Sequence, residues 1–471
     1  MVDEQFKQNV DAFVDEVWED VVADIRRLVR IRSVEDRAAA KPGMPWGSAS
    51  HDALVVGLGI ADRLGLDAHE CEGYLGYADL AGESDKQIAT IAHTDVVPEG
   101  LGWTFPPFDV SRKEGCLVGR GVLDDKGPCV LSLYAAHYFV REVQRSGKKL
   151  PYTLRCIVGN NEETNMKDLD WYLERYPMPV FAFSPDAEFP LICGEKGLYS
   201  GTFCSGKIAG DVIVELDGGT VGNAIPGRAT AVVRRVASEL PEADNIDIEA
   251  AGDSQALITA HGKGGHASRP AGTINAIALL VDYLLEHKLC SAKERVFLEM
   301  ERILLATTDG SSVGIASEDD KFGPLTLIGG TVRTENGCFI QTVDSRFPTT
   351  TTGEHITETL SSFGAQYGCN YAEGRNVTPF YVSPELPEIR CLLDTYEEYS
   401  GREGKAFTIG GGTYARHFAC GAAFGPWDPA DPVPEWAGPE HGPNEAIPEA
   451  SLKRALKIYI VSIARLMELE F

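Results

Sequence analysis

No Cys-x-x-Cys pair occurs in this chain, and its 11 cysteines are an odd number scattered along it. Complete intramolecular pairing is excluded, and reduced thiols in a cytoplasm are the expected state. Long apolar runs are also missing: none approaches the roughly 18–20 residues of a spanning helix, so no membrane partner is expected. Positive charge is scarce, with Lys+Arg 43 against Asp+Glu 70 and a formal net charge of −27. A surface that acidic repels phosphate backbones and anionic lipid, which argues against nucleic acid as a partner. It reads instead as solvated solubility charge. The amino-terminal stretch holds Asp3, Glu4, Asp11, Asp15, Glu16, Glu19 and Asp20 in place of a basic and then apolar leader, so a cytoplasmic location is expected. What remains is ordinary globular composition, 44% hydrophobic and 24% charged over 471 residues, enough for two or three domains with buried cores.

Val10, Phe13, Val14, Val17, Val21, Ile25 and Leu28 recur at three- and four-residue spacing, which predicts an amphipathic helix over 10–29. Residues 50–64, 127–143 and 166–176 also read as helices, and 86–93, 152–158 and 180–184 as short apolar strands. Strands alternating with helices predict an α/β domain whose central sheet is mostly parallel and flanked by helices. Beyond about residue 191 the texture changes. Strands at 201–203, 211–216, 229–235, 256–260, 325–329 and 338–346 accompany helices at 273–287, 292–307 and 355–367. Helices return at 393–400 and 451–470. The expected organisation is a catalytic domain from 1–191 plus 385–471, interrupted by an inserted α+β domain at 192–384.

Five segments could carry chemistry, and each has a plain reading beside the functional one. In His93-Thr-Asp-Val-Val-Pro98 an imidazole and a carboxylate share one side of an extended backbone. That suits a metal ligand oriented by Asp95, or a strand-end His bonded to Asp95 and nothing more. Gly119-Arg-Gly-Val-Leu-Asp-Asp-Lys-Gly127 sets two carboxylates side by side, to be offset by a cation or by Lys126, or uses one Asp as a helix cap. Gly159-Asn-Asn-Glu-Glu-Thr164 is a solvated loop, or a metal ligand beside a general base. Phe183-Ser-Pro-Asp-Ala-Glu188 makes a Pro-Asp turn, or presents Asp186 beyond a strand. Gly438-Pro-Glu-His-Gly-Pro-Asn-Glu445 is a Pro-rich loop carrying His441.

Together these segments place His93, Asp124, Glu163, Asp186 and His441 at loop ends of one α/β domain, where open sheets bind ligands. Two imidazoles and three carboxylates suit zinc, manganese or cobalt. With Asp124 bridging, each of two ions would have one His, one terminal carboxylate and a shared oxygen, with room for water between ions about 3.5–4 Å apart. Elsewhere, Gly410-Gly-Gly-Thr-Tyr-Ala-Arg416 could form a backbone nest for a carboxylate at Gly411 and Gly412, with Arg416 close by, or a flexible turn. It lacks the spacing of a nucleotide-binding loop, and no organic cofactor is expected. Trp103 and Phe105 could line a pocket or sit in a core. Taken alone, His266 in Gly262-Lys-Gly-Gly-His-Ala-Ser268 is a turn histidine, and Arg346 in Val343-Asp-Ser-Arg346 is a strand residue paired with Asp344.

In this order the five segments resemble those of the di-metal aminoacylase/carboxypeptidase metallopeptidase superfamily. Phe183-Ser-Pro-Asp-Ala-Glu-Phe-Pro190 with Gly194-Glu-Lys-Gly197, and Ile409-Gly-Gly-Gly-Thr-Tyr414, are similar to its bacterial PepV-type (Xaa-His) dipeptidase branch. The resemblance runs from the first helix to the last. It implies two divalent metal ions per chain, zinc first, with manganese or cobalt as alternatives. His93 and Asp186 would hold one ion, Glu163 and His441 the other, and Asp124 would bridge them. The peptide between Asp124 and Asp125 is often cis in this family. Asp95 would orient His93, and Glu162 would be the general base that takes a proton as a metal-bridged hydroxide forms and passes it to the leaving amine. Asn223 in Gly222-Asn-Ala-Ile-Pro226, His266 and Arg346 match positions that bind the oxyanion and the substrate carboxylate. Position 161 is Asn where many relatives have Asp, a change of charge beside Glu162 that leaves ligands and base in place.

The implied activity is that of a metallodipeptidase, releasing the N-terminal amino acid from dipeptides or short peptides with a free N-terminus. Alternatives on the same scaffold are an N-acyl-amino-acid amidohydrolase (deacylase) and a non-catalytic metal- or peptide-binding protein. In the PepV-type branch the enlarged insert mimics a partner subunit and closes as a lid. That implies a monomer in which closure brings His266 and Arg346 to the reaction centre.

Overall fold

The computed structural model describes residues 2–471. The chain divides into two compact units. One comprises the chain up to Cys193, Tyr381–Phe407 and Gly412–Phe471; the other comprises Gly194–Phe380 and Thr408–Gly411. The sequence reading puts the insert at 192–384. Residues at those borders are tied into the first unit: Ile192 pairs with Ala423, and the Val382 N–H donates to the Cys193 carbonyl.

The first unit is built on a sheet in the order Asp67–Cys71, Leu75–Leu80, Tyr152–Gly159, Ser84–His93, Phe181–Ser184, Gly421–Ala423, Ile192–Glu195. The middle four strands run parallel, and the strands outside them are antiparallel. Ile88, Ala89, Thr90, Ile91, Ala92 and His93 are buried without alternation, as befits a strand covered on both faces. Helices Lys126–Ser146 and Glu449–Leu466 pack on each other and on helix Glu4–Val29. On the other side, Ala89, Ile91 and Ala182 meet Leu169, Tyr172, Tyr414 and Phe418. The first helix starts ahead of its apolar stripe because Asp3 caps it, accepting the Phe6 N–H at 2.8 Å. The parallel register sets His93 beside Gly159 and Thr90 beside Phe183. Three strands therefore deliver their carboxyl ends to the same edge.

The second unit holds an antiparallel sheet in the order Ile246–Ala250, Ala256–His261, Arg228–Val233, Ile213–Gly218, Thr326–Glu335, Cys338–Phe347, Gly197–Cys204, Asn370–Val377. Its core joins Leu280, Leu284, Phe297, Phe339 and Leu360. The helix expected over 273–287 begins only at Ala276, because Asn275 is its cap and accepts the Ile277 N–H at 2.9 Å. The helix expected over 292–307 starts behind a Ser291/Glu294 capping box and ends at Leu304. The edge strands Ile246–Ala250 and Asn370–Val377 are exposed along much of their length. Their polar sequences kept them out of the apolar pattern. Among the described residues no helix is long and apolar enough to cross a membrane.

Candidate metal centre

The loops after strands Ser84–His93, Tyr152–Gly159 and Phe181–Ser184 carry Asp95, Glu162 with Glu163, and Asp186; His93 is the last residue of its strand. Asp124 precedes helix Lys126–Ser146, and His441 lies in the loop before strand Ala446–Pro448. His93 Nε2 is 3.2 Å from Asp124 Oδ1 and 3.5 Å from Asp186 Oδ2. His441 Nε2 is 2.8 Å from Asp124 Oδ2 and 3.0 Å from Glu163 Oε2. The two oxygens of Asp124 thus face two different imidazoles, and the five expected ligand positions lie together.

The His93 ring is fixed from behind. Its Nδ1 lies 3.0 Å from the Asp95 main-chain oxygen and 3.4 Å from Asp95 Oδ1, which turns Nε2 toward the carboxylates. The His93 N–H donates to Asp125 Oδ2 at 2.9 Å, and the Asp124–Asp125 peptide is cis. The Asp95 carboxylate has a second task that its spacing from His93 did not suggest. It accepts the backbone N–H groups of Glu162 at 3.2 Å and Glu163 at 3.1 Å.

Burial and the neighbouring charges set the protonation of these side chains. Burial, then the Asp186 charge, pushes the Glu162 carboxyl well above its usual range, with Glu163 and Asp124 adding to the effect and His93 opposing it. Burial and the Asp124 charge raise Glu163 to about 7. Burial disfavours the charged His441 ring, yet Asp124 and Glu163 outweigh it and raise the imidazole to about 11. Asp124 is also penalised by burial, but the two imidazoles hold it below the usual range. The buried His93 Nε2 has no aligned hydrogen bond despite its close carboxylates. An acidic set of nitrogen and oxygen donors, with His93 buried, its carboxylates half-buried and His441 exposed, fits divalent cations. Among the described residues, ligand atoms of His93, Asp124 and Glu163 lie within 4.8 Å of one another, as do those of His93, Asp125 and Asp186. Asp125 is a possible ligand the sequence reading passed over, and its buried Oδ1 has no hydrogen-bond partner among the described residues.

The Asn at position 161 has a local reason. Its amide donates to Glu35 Oε1 at 3.1 Å and Thr164 Oγ1 at 2.6 Å, which a carboxylate could not do, and its Oδ1 accepts the Lys167 N–H at 3.1 Å. Beneath it, the Asp168 carboxylate accepts the N–H groups of Asn160 and Asn161 at 2.7 and 3.1 Å and the Tyr414 phenol at 2.5 Å. Asp168 and Tyr414 stand far apart in sequence, and no local pattern marks the pair. Phe105 takes the core alternative, packing at 5.5 Å from Trp436 near Cys116, Val118 and Ala446. The Trp103 indole donates to the Glu99 carbonyl at 2.6 Å and lies under the Arg120 guanidinium.

The remaining candidates are placed as follows. In the second unit, Ala224 pairs with His266, and the Ala267 N–H donates to the Asn223 carbonyl at 3.0 Å, so Asn223 and His266 are neighbours. His266 is exposed, and its Nδ1 accepts the Ser268 N–H at 3.2 Å, leaving the ring proton on Nε2. Arg346 is buried; it forks onto the Asp344 carboxylate at 2.8 and 3.2 Å and donates to the Gly410 carbonyl at 3.3 Å. Gly411 belongs to the second unit and Gly412 to the first. None of Gly410, Gly411 and Gly412 takes a left-handed φ, so the run is not an alternating nest. Arg416 lies in the short helix Tyr414–His417.

The profile of peptidase family M20/M25/M40 matches residues 89–465. The chain is 30% identical over 463 residues to the dipeptidase-type protein YtjP of Bacillus subtilis strain 168, covering 95% of this chain and 97% of that one. It is also 30% identical over 486 residues to the Beta-Ala-Xaa dipeptidase of Lactobacillus delbrueckii subsp. lactis, covering 99% of both. Among solved structures, the dipeptidase Dug1p from Saccharomyces cerevisiae has the same fold with a TM-score of 0.61 at 13% identity, over 99% of both chains. Human carnosine dipeptidase 1 gives 0.59 at 13% identity, over 98% of this chain and 100% of that one.

Proposed function

We propose, from the premise that this chain belongs to peptidase family M20/M25/M40 and is a metallopeptidase of dipeptidase type, that it cleaves dipeptides and short peptides with a free N-terminus at the centre around Asp124. The observation that carries the reading is the placement of one imidazole before each Asp124 oxygen, with Asp186 and Glu163 completing the two halves. His93 and Asp186 would hold one divalent ion and His441 and Glu163 the other, with Asp124 between. Ions bound there would supply Lewis acidity and make water a stronger acid near neutral pH. Zinc is our first assignment, with manganese or cobalt as alternatives for this donor set.

Glu162 is the group we assign to proton transfer. Its backbone is pinned by Asp95, and its raised affinity for a proton suits a carboxylate that takes one from the attacking water and delivers it to the leaving amine nitrogen. His266, protonated at Nε2 by the bond its Nδ1 accepts, offers a donor suited to a developing oxyanion. Arg346, held flat by Asp344, keeps part of its guanidinium fork for a substrate carboxylate. We place the enzyme in the cytoplasm as a monomer, a setting that suits its free cysteines.

The test is a panel of free-amine dipeptides and N-acetyl amino acids, assayed on chelator-stripped protein with Zn2+, Mn2+ or Co2+ added back. Metal-restored cleavage of the dipeptides is expected. Turnover in chelator, or a preference for the N-acetyl compounds, overturns the reading.

A further inference from the structure

We infer that Glu445 is a positioning residue that locks the loop bearing Asp124 to the loop bearing His441. This rests on the two-ion reading above and goes beyond it, because Glu445 faces the backbone of the Asp124 loop and Arg120. The loop 438–445 is closed on itself: the Gly438 N–H donates to the Asn444 carbonyl at 2.8 Å and the Ala446 N–H to the Gly438 carbonyl at 3.2 Å. From its end, Glu445 Oε1 accepts three backbone N–H groups, those of Gly121 at 2.9 Å, Leu123 at 3.0 Å and Asp124 at 3.2 Å. Its other oxygen accepts Arg120 Nη1 at 2.5 Å, and both side chains of this pair are fully buried. The Gly119 N–H donates to the Glu445 carbonyl at 3.0 Å, so main chain and side chain grip the same loop. Strand Ala446–Pro448 continues the attachment by pairing with Cys116–Val118.

The consequence is geometric. Asp124 and His441 stand far apart in sequence, yet a two-ion site needs their facing atoms held to within a few tenths of an ångström. One carboxylate oxygen bonded to the Asp124 N–H fixes that loop directly to the residue four positions after His441. The Arg120 guanidinium pairs with the buried carboxylate and itself lies over the Trp103 ring, 5.4 Å from its centroid, so the grip is braced from a second side.

The test titrates Mn2+ into chelator-treated full-length protein by calorimetry, alongside thermal unfolding of the metal-free form. Wild type is expected to bind two ions. Glu445→Ala is expected to weaken the more weakly held ion by roughly 10–100-fold, the range for residues that support ligands from behind, and to lower kcat at subsaturating Mn2+ with KM little changed. If that variant does not fold, Glu445→Gln serves: its neutral oxygen bonds the three N–H groups less strongly and its amide NH2 faces Arg120, so a smaller loss of affinity is expected. A folded variant that binds two ions with wild-type affinity, even with a lowered melting temperature, makes Glu445 merely structural and overturns the proposal. Wild type binding fewer than two ions instead overturns the two-ion reading, and this inference with it.

Discussion

The carboxylate of Asp95 carries the backbone of Glu163: its Oδ2 accepts that N–H at 3.1 Å, while Oδ1 accepts the N–H of Glu162 at 3.2 Å. Here each of the two adjacent N–H groups is met by its own carboxylate oxygen. An amide presents one oxygen and one NH2, so Asp95→Asn must set a donor against a donor. We expect kcat/KM to fall by roughly 10–100-fold with the variant still folded. Unchanged kinetics with an unchanged melting temperature would show that the glutamate pair does not depend on this support.

Glu162→Gln separates metal holding from proton transfer. None of the imidazole–carboxylate contacts around Asp124 involves Glu162, so metal content should match wild type. Turnover should fall by roughly 10²–10⁴-fold, the usual contribution of a positioned acid–base group. Metal analysis and steady-state assays on one preparation check both halves; a fully active variant would remove Glu162 from the mechanism.

Metal uptake should release protons. With Asp124 and Glu163 raising His441 to about 11 in the metal-free protein, the ring is protonated at neutral pH, and a cation must displace that proton. Affinity therefore weakens as pH falls. Titrations in buffers of different ionisation enthalpy, between pH 6 and pH 8, should show this as a buffer-dependent heat. No buffer dependence would mean that the imidazole is neutral before binding.

Glu301 makes a pH prediction away from the site. It is buried on helix Ala292–Leu304, neither carboxylate oxygen has a hydrogen-bond partner among the described residues, and burial pushes its carboxyl well above the usual range. A carboxyl whose folded pKa exceeds its unfolded value of about 4.3 contributes its full stability below that pH and loses it as pH rises toward the folded value. Glu301→Gln removes the ionisation. Its melting temperature should exceed that of wild type at pH 8, and the gap should close as the pH approaches 4. A gap that stays constant with pH would assign the effect to packing.

Much of the first unit is legible from local sequence. The apolar strand that ends in His93 and the glutamates after residues 152–158 each carry their signal within a few residues. The same holds for the insert's major strands. What stayed hidden has a common cause. Strands Ile246–Ala250 and Asn370–Val377 lie at exposed edges, where no apolar pattern is required. The Arg120–Glu445 and Asp168–Tyr414 contacts join residues far apart in the chain. A buried hydrogen bond between distant polar residues leaves no periodicity and no spacing rule.

The chain's own chemistry determined the inventory: acidic surface, reduced thiols, alternating strands and helices, and two imidazoles with several carboxylates at strand ends. Only the tertiary structure decided how they are used. It set one imidazole before each oxygen of Asp124, gave the orientation of His93 to the Asp95 main chain, and committed much of Arg346 to Asp344. Residue type fixes what a side chain can donate or accept. Which atom it meets is settled by the parallel register of strands and by buried bonds between loops, and both depend on contacts made across the whole length of the chain.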